Sequence, residues 1–587
     1  MNYKTSSLRE LMQRESIDAI IFPTSDPHNS EYTASHWQSR KYVTGFTGSA
    51  GTAVVTLHDA ALWTDSRYFL QAAEQLKDGP FQLMKEGVEG TPDIVSWIKR
   101  RMSVEGGRCV AVDGMVMPYA DVVALQKDMQ RIGVTIRTNY DAMQMLWTNR
   151  PVKPSGEIYA IDNDMIGETV TEKLQRIRHA MHEERCEGHV LTDLMSIAWT
   201  LNLRGSDVPM TPVFIAFMYV ATDSATLFCN GPLTAEAQRR MSEAGVTVKH
   251  YDDFASFLKT QKDKRIMCDG KTTCYTLYNI IKEWVVDMPS PVMSMKAVKN
   301  AKEIEGFRRC MLRDGVAMVR FLRWLKPAVE AGGQTEISVS DKLESLRREA
   351  KEYKDLSFST ISGYQEHGAI VHYTATKDSD KALKAEGLLL VDSGAQYTDG
   401  TTDITRTIAL GPVSDEMRRA YTLVLKANIA LATVRFPEGT NGTQLDAIAR
   451  SVLWSGGLNY LHGTGHGVGW CLSVHEGPHA IRMDWRPEPL KVGMTVTDEP
   501  GVYLAGRFGI RTENMMLVTK VQETEFGVFC QLQPLTLCPI DTTPILWDMM
   551  TEEEITWLND YHKTVREALL PLLTDEDDKQ WLIEVTN

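Results

Sequence analysis

LLLVDSGAQYTDGTTDITR, residues 388–406, is the stretch around which the rest of the chain reads as organised. The apolar run LLLV reads as a short buried strand, and ITRTIAL after the second aspartate, with its apolar alternation, reads as another. Asp392 and Asp403 stand 11 positions apart (403 − 392). Gly394, Asp399 and Gly400 between them supply turn chemistry. A hairpin of this kind brings two carboxylates to the same end of a sheet, which is what a pair of cations needs.

The chain has 587 residues, 43% hydrophobic and 24% charged, an ordinary globular composition too long for one core. The prior is two to four domains. Its 63 basic and 77 acidic residues leave a net charge of −14, which argues against a nucleic-acid partner and against binding to an anionic membrane. Nine cysteines contain no CxxC pair and read as reduced thiols in a reducing compartment. The start, MNYKTSSLRELMQRES, is polar and helical, Ser7 being the expected cap, and has no apolar signal core. No run approaches the roughly 18 apolar residues of a membrane span. The expected location is the cytoplasm.

Three domains follow from the order of elements. Residues 1–150 are α/β, with strands AIIFP (19–23) and TAVVTL (52–57) flanking TGFTGSAGT (44–52). That stretch has neither GxGxxG nor a GK[ST] ending, so a tight turn is expected rather than a phosphate loop. Residues 151–292 repeat the order loosely and are expected to be a second copy of the same module. Residues 293–587 are α+β and hold every motif of interest. They open with a long amphipathic helix expected to break near Gly315, then a helix after Thr335, then strand-like LSFSTISG, GAIVHYTA, GLLLVD and ITRTIAL. A helix capped by Ser414 follows, then one stopped at Gly456-Gly457.

Histidines and carboxylates cluster beside turn glycines in this last domain. They are Asp392, Asp403, His462 and His466 in LHGTGHGVG, His475 and Glu476 in VHEGP, Glu499 in TDEPGVY, Glu513 in RTEN, and His372 in IVHY. A carboxylate-rich set with imidazole and no thiolate suits Mn²⁺ or a similar divalent ion, with zinc left open. Two ions at the roughly 3.5–4 Å separation of two-metal hydrolases need bridging carboxylates, which this set can supply. Each residue alone is more often a turn, cap or structural group. Their joint context decides.

DSGAQYTDGTTDITRT, HGTGHGVG, VHEGP, TDEPGVY and GIRTEN resemble, in order and spacing, the signatures of the X-prolyl aminopeptidases (aminopeptidase P) of the pita-bread metallopeptidase clan, in their long cytosolic form. SEYTASHWQSR, GFTGSAGTAVVT, LWTDSRYFLQAA, NLRGSDV and KAVKN extend the likeness over nearly the whole chain. The resemblance implies two creatinase-like α/β modules followed by a pita-bread catalytic domain, a homodimer, and two divalent ions, most simply Mn²⁺. It implies metal ligands at Asp392, Asp403, His466, Glu499 and Glu513, with Asp392 on one ion, His466 and Glu499 on the other, and Asp403 and Glu513 shared. It places three further active-site histidines at His372, His462 and His475, which serve catalysis and substrate binding, and a substrate-side arginine at Arg511. Val502 and His367 depart from the commoner family pattern, and neither is a ligand.

The implied activity is attack by a metal-bridging hydroxide on the bond before proline, releasing the first residue of an Xaa-Pro peptide. That bond is a tertiary amide without N–H, which ordinary proteases fit poorly. The rival readings are a prolidase acting on Xaa-Pro dipeptides, a pita-bread module that only binds peptides, and a creatinase-like carbon–nitrogen hydrolase. The upstream tandem modules favour the aminopeptidase over the first, and the complete ligand set weighs against the other two.

Overall fold

A computed structural model describes residues 3–587. The chain divides into two compact units, one running to Asp162 and again over Glu168–Met293, the other over Asn163–Gly167 and Ser294–Asn587.

The first unit holds two six-stranded sheets of the same plan. In one, strand Ala19–Pro23 pairs antiparallel with Thr52–Thr56, that with Ala60–Thr64, and that in parallel with Gln82–Lys85; on its other side lie Cys109–Ala111 and Thr135–Arg137, both parallel. In the other, Gly188–Leu191 takes the central place, Ala216–Ala221, Ala225–Cys229 and Val246–His250 follow on one side, and Ile266–Cys268 and Val285–Asp287 on the other, with identical senses. The loose internal repeat in the sequence is therefore a repeat of topology. The glycine-rich stretch is a turn: Gly45 ends helix Ser39–Thr44 at φ 76°, and the Arg40 guanidinium takes the carbonyls of Phe46 and Gly48. A phosphate loop presents N–H groups, whereas this one turns carbonyls inward onto a cation. Ser7 is not a cap. Helix Tyr3–Arg14 starts before it, because Thr5 is already buried and the packing face begins upstream.

In the second unit, helix α1 (Ala301–Glu330) starts at Asn300, whose side chain accepts from the Lys302 and Glu303 amides while Glu303 accepts from Asn300 N. Such a capping box is worth about 1 kcal/mol. The expected break at Gly315 does not occur. A Cβ there would lie 2.5 Å from Leu537 O, so the glycine lets another segment approach an unbroken helix. Helix α2 (Glu336–Arg347) is capped by Thr335. Strands β1 (Ile361–Tyr364), β2 (Leu388–Ser393) and β3 (Ile404–Ala409) form an antiparallel sheet with β2 central. Every residue of β2 and β3 is buried, so β3 is covered on both faces rather than half-exposed as its alternation suggests. Val339 and Leu343 of α2 pack with Met318, Phe321 and Leu325 of α1 against Leu389, Val391, Ile404 and Ile408. Each such side chain contributes about 1.5–3 kcal/mol on full burial.

The stretch between β2 and β3 is not a simple hairpin turn. Ala395–Tyr397 and Gly400–Thr401 leave to form a separate small sheet with Tyr353–Leu356. GAIVHYTA is not a strand either: Gln365–Ala369 is a 3-10 turn, and the residues after it carry no regular element as far as Ala375.

Helices α3 (Asp415–Thr433, capped by Ser414) and α4 (Gly442–Ser455, followed by Gly456-Gly457) cover the remaining sheet. In it β4 (Gly465–Gly467) lies between β5 (Glu476–Ile481) and β6 (Thr495–Asp498). A short ribbon, β7 (Gly501–Leu504) with β8 (Phe508–Arg511), precedes β9 (Asn514–Thr524) and β10 (Gly527–Pro534), which continue from β6. The Arg406 guanidinium joins three segments. Its donors reach Glu513 O (2.7 Å), Asn514 Oδ1 (2.9 Å), Cys538 O (2.9 Å), Pro539 O (3.0 Å) and the Tyr561 hydroxyl (3.0 Å). Among the described residues no helix is long and apolar enough to cross a membrane, and none of the nine cysteines is in a disulfide.

Candidate metal centre

The register of β2 on β3 sets Asp392 opposite Thr405, and Asp403 stands just before β3 begins. Glu513, between β8 and β9, bridges to Thr405: its N–H donates to Thr405 O (3.1 Å), and Thr405 Oγ1 donates to Glu513 Oε2 (2.7 Å). On β4, His466 donates Nδ1–H to Gly467 O (2.9 Å), which leaves Nε2 as the lone-pair nitrogen. That nitrogen lies 3.5 Å from Asp403 Oδ2 and 3.4 Å from Glu499 Oε1. Asp403, His466 and Glu513 each offer a ligand atom within 4.8 Å of the others. Thr497 ties two of these strands, accepting from His466 N (3.1 Å) and donating to Glu499 Oε1 (3.2 Å).

Lone pairs converging at such distances repel one another unless a cation sits among them. Burial pushes the Asp403 and Glu513 carboxyls far above the ordinary range, and their acidic neighbours add to it. Burial, with Asp392 nearby, raises Glu499 to about 7 against the pull of Arg511. Asp392 Oδ1 is buried with no hydrogen-bond partner, an orphan that a metal ion would satisfy. Four carboxylates face one buried arginine, and two divalent cations offset the difference. The donor set fits a dinuclear centre.

Arg511 is 1% exposed. It pairs with Asp392 and donates to Tyr503 OH (2.6 Å), Thr405 Oγ1 (3.2 Å) and Val371 O (3.4 Å). Tyr503 OH also meets His462 Nε2 at 2.9 Å, and His462 Nδ1 is 3.9 Å from Glu499. The loop carrying His462 is clamped by Arg450, which donates to Tyr460 O (2.6 Å) and His462 O (2.7 Å). His475 stacks edge-on against His466, centroids 4.4 Å apart. His372 follows Val371, the residue whose carbonyl meets Arg511. Its segment is held by fully buried Glu336 of α2, which accepts from Tyr364 N (2.7 Å), His367 Nδ1 (2.9 Å), Tyr373 OH (2.8 Å) and Lys381 N (3.2 Å).

Sequence reasoning had no place for Tyr503, Thr405, Thr497 or Glu336. The signal for Tyr503 was its position on β7, where Gly501 and Tyr503 pair with Arg511 and Gly509. Glu476, gathered with the acidic candidates, lies instead in an ion pair with Lys296 and Lys299.

Comparison with known proteins places this geometry among relatives. Residues 305–520 match the model of metallopeptidase family M24, and 528–587 the C-terminal region of peptidase M24. The creatinase/prolidase N-terminal domain matches twice, over 4–144 and 149–303. Xaa-Pro aminopeptidase 1 of Dictyostelium discoideum is 36% identical over 602 residues, covering 99% of this chain and 95% of that protein. Aminopeptidase P1 of Arabidopsis thaliana is 37% identical, covering 99% and 98%. The crystal structure of an X-prolyl aminopeptidase from Caenorhabditis elegans, described as a cytosolic enzyme with a di-nuclear active site, superposes with a TM-score of 0.95 at 32% identity, covering 100% of this chain and 99% of that one. An Xaa-Pro dipeptidase from Bacillus anthracis reaches 0.51 at 25% identity and covers 63% of this chain.

Proposed function

The chain belongs to metallopeptidase family M24, with two creatinase-type domains ahead of the catalytic one, and from that premise we infer how its own side chains perform Xaa-Pro aminopeptidase chemistry. The enzyme releases the first residue of peptides whose second residue is proline. The observation that carries the assignment of the site is the convergence of Asp403, His466 and Glu513 beside the orphaned Asp392 oxygen.

Asp392, Asp403, His466, Glu499 and Glu513 would hold two divalent ions, of which Mn²⁺ suits the hard oxygen donors, with Asp403 and Glu513 the carboxylates available to both. When bound, these ions polarise the scissile carbonyl and lower the pKa of water. Arg511 holds Asp392 in place and orients the Tyr503 hydroxyl, which in turn fixes the His462 ring. His462, His475 and His372 surround the proline side of the cleaved bond. They would line the pocket for the pyrrolidine ring, whose nitrogen has no N–H to offer, and one of them would donate the proton that the departing nitrogen takes up. A free substrate amine that meets an acidic side chain or a metal at the site would restrict cleavage to the first residue.

We further divide the chain at 1–150, 151–292 and 293–587. We place it in the cytoplasm, supported by cysteines that form no disulfide and by the description of the Caenorhabditis elegans enzyme. A homodimer through the catalytic domain is supported by exposed Trp454 (51%), Leu461 (61%), Met483 (49%) and Trp485 (68%) on neighbouring segments. Trp485→Glu then sediments as a monomer, and an unchanged sedimentation coefficient rejects that face.

The test of the activity is turnover of Xaa-Pro-Pro, Xaa-Pro and Xaa-Ala substrates after chelation and restoration with Mn²⁺, Co²⁺ or Zn²⁺ separately. Release of the first residue is expected only from Xaa-Pro peptides longer than two residues. Exclusive dipeptide cleavage makes the enzyme a prolidase. Asp403→Ala and Glu513→Ala are expected to lose on the order of a thousandfold or more in turnover. Parental turnover with normal metal content in either sinks the two-metal assignment.

A further inference from the structure

KAVKN, residues 296–300, lies at the entrance to the catalytic domain, far from the metal ligands in sequence. Asn300 caps α1, but Lys296 and Lys299 have no part in the helix. Both reach Glu476. Lys296 Nζ is 3.1 Å from Oε2, and Lys299 Nζ meets Oε1 while also donating to Ala297 O at 3.2 Å. The three side chains are 4%, 0% and 2% exposed. Burial pushes the Glu476 carboxyl up, and the two ammoniums outweigh it, holding it below the ordinary range.

A buried ion pair is a poor source of stability, because desolvation offsets the attraction. Its best-attested use is to select one arrangement among alternatives. Here the alternatives concern register. Glu476 opens β5 opposite Gly467 of β4, and the pairing slips between His466 and Gly467. Its neighbours in sequence are thus the two histidines of the site: His475 immediately before Glu476, and His466 immediately before its strand partner. On the opposite side Lys299 N donates to Gly493 O (2.9 Å), two residues before β6, and His479 Nε2 meets Thr495 O at 2.8 Å. Gly467 leaves no slack, since a Cβ there would sit 2.4 Å from Glu476 O.

We propose that Lys296, Lys299 and Glu476 form a buried positioning lock that fixes the β4–β5 register and thereby the mutual orientation of His466 and His475. The proposal rests on the reading of those two histidines given above and goes beyond it by giving KAVKN and the glutamate of VHEGP a role. None of the three belongs to the cluster of Asp403, His466 and Glu513. Because the triad holds two cations to one anion, replacing either lysine by methionine leaves a neutral pair and a side chain of similar length, so the fold survives while the lock loses one of its two anchors.

The experiment compares full-length parent, Lys296→Met, Lys299→Met, Lys299→Arg and His475→Ala. It reads steady-state kinetics on an Xaa-Pro-Pro tripeptide and calorimetric Mn²⁺ titration of chelator-stripped protein. Each methionine variant is expected to lose at least tenfold in kcat with KM within threefold, and to bind Mn²⁺ at least fivefold more weakly. Lys299→Arg, which keeps the charge, is expected to stay within threefold of the parent. Methionine variants that keep kcat within threefold overturn the proposal, as does an arginine variant as impaired as the methionine one. If Lys299→Met does not fold, the kinetics of Lys296→Met decide between these outcomes. A parental kcat in His475→Ala removes the underlying site reading, which separates that failure from a failure of the lock.

Discussion

Loading the stripped enzyme with Mn²⁺ should release protons, and the number follows from the burial of the ligands. Without a cation the carboxyls of Asp403, Glu499 and Glu513 are held above their ordinary range, Glu499 at about 7. A coordinating carboxylate must be ionised, so each proton still held at the working pH leaves on binding. For Glu499 the expected release is about 0.9 proton per chain at pH 6 and about 0.1 at pH 8, from the simple titration curve. Asp403 and Glu513, raised further, bring the total at pH 6 to between about one and three. The sign for stability follows. A raised folded-state carboxyl keeps a proton that the unfolded chain has lost, so the Glu499 contribution to the stripped protein's stability is fully present below the unfolded pKa near 4.5 and is lost as pH rises through about 7. The Glu499 share is about 2–3 kcal/mol, discounted because 17% of its side chain meets solvent. Calorimetric titration with Mn²⁺ in two buffers of different ionisation enthalpy measures the release directly. Fewer than half a proton per chain at pH 6 would refute the reasoning.

Other expectations need single variants. His562 is buried and its pKa is lowered to about 4, so the unfolded chain takes a proton below about 6.5 that the folded one refuses. Stability therefore falls as pH drops from about 6.5 toward 4, by up to about 1.4 kcal/mol per pH unit, and His562→Gln should flatten that slope in denaturant titrations. Gly509→Ala would set a Cβ 1.7 Å from Gly368 O. The segment bearing His372 must then move, at a cost of about 1–3 kcal/mol in thermal unfolding and a fall in kcat of tenfold or more. Glu336→Gln keeps the volume but turns an amide toward four donors, a loss of about 2–3 kcal/mol, and kcat should fall with metal content unchanged. Parental stability in that variant argues against Glu336 as the anchor of the His372 segment.

Much of this was readable in the chain because the chemistry is local. LLLV is a buried strand, Ser414 and Gly456-Gly457 bound helices, and the histidines and acids stand beside glycines that make the turns. What was misread depended on distant partners. GAIVHYTA alternates like a strand, but Glu336 takes four of the donors around it, and the near-contact of Gly368 with Gly509 leaves no room for a ladder. Gly315 looks like a helix breaker until Leu537, more than 200 residues on (537 − 315 = 222), is seen to need the space. Nothing near Lys296 and Lys299 in the sequence marks the buried partner they share, since it lies 180 and 177 positions away. The excursion between β2 and β3 was hidden for the same reason. Asp399, which reads as turn chemistry, is held by Arg309 and Arg313 of α1, and its carbonyl by Trp470.

The buried Arg406 guanidinium has a consequence for the timing of assembly on the ribosome. Domains fold as they emerge, N-terminal first. Arg406 leaves the exit tunnel more than 100 residues before Glu513, and longer still before Pro539 and Tyr561, whose oxygens it requires. Until helix Glu552–Leu569 has been made, a full positive charge sits in the middle of β3 without its full set of acceptors, three residues from Asp403 and one strand from Asp392. The nascent catalytic domain therefore cannot finish its centre before synthesis is nearly complete. A chain cut short before Tyr561 should accumulate as an inactive, chaperone-dependent species even though all five ligands are present.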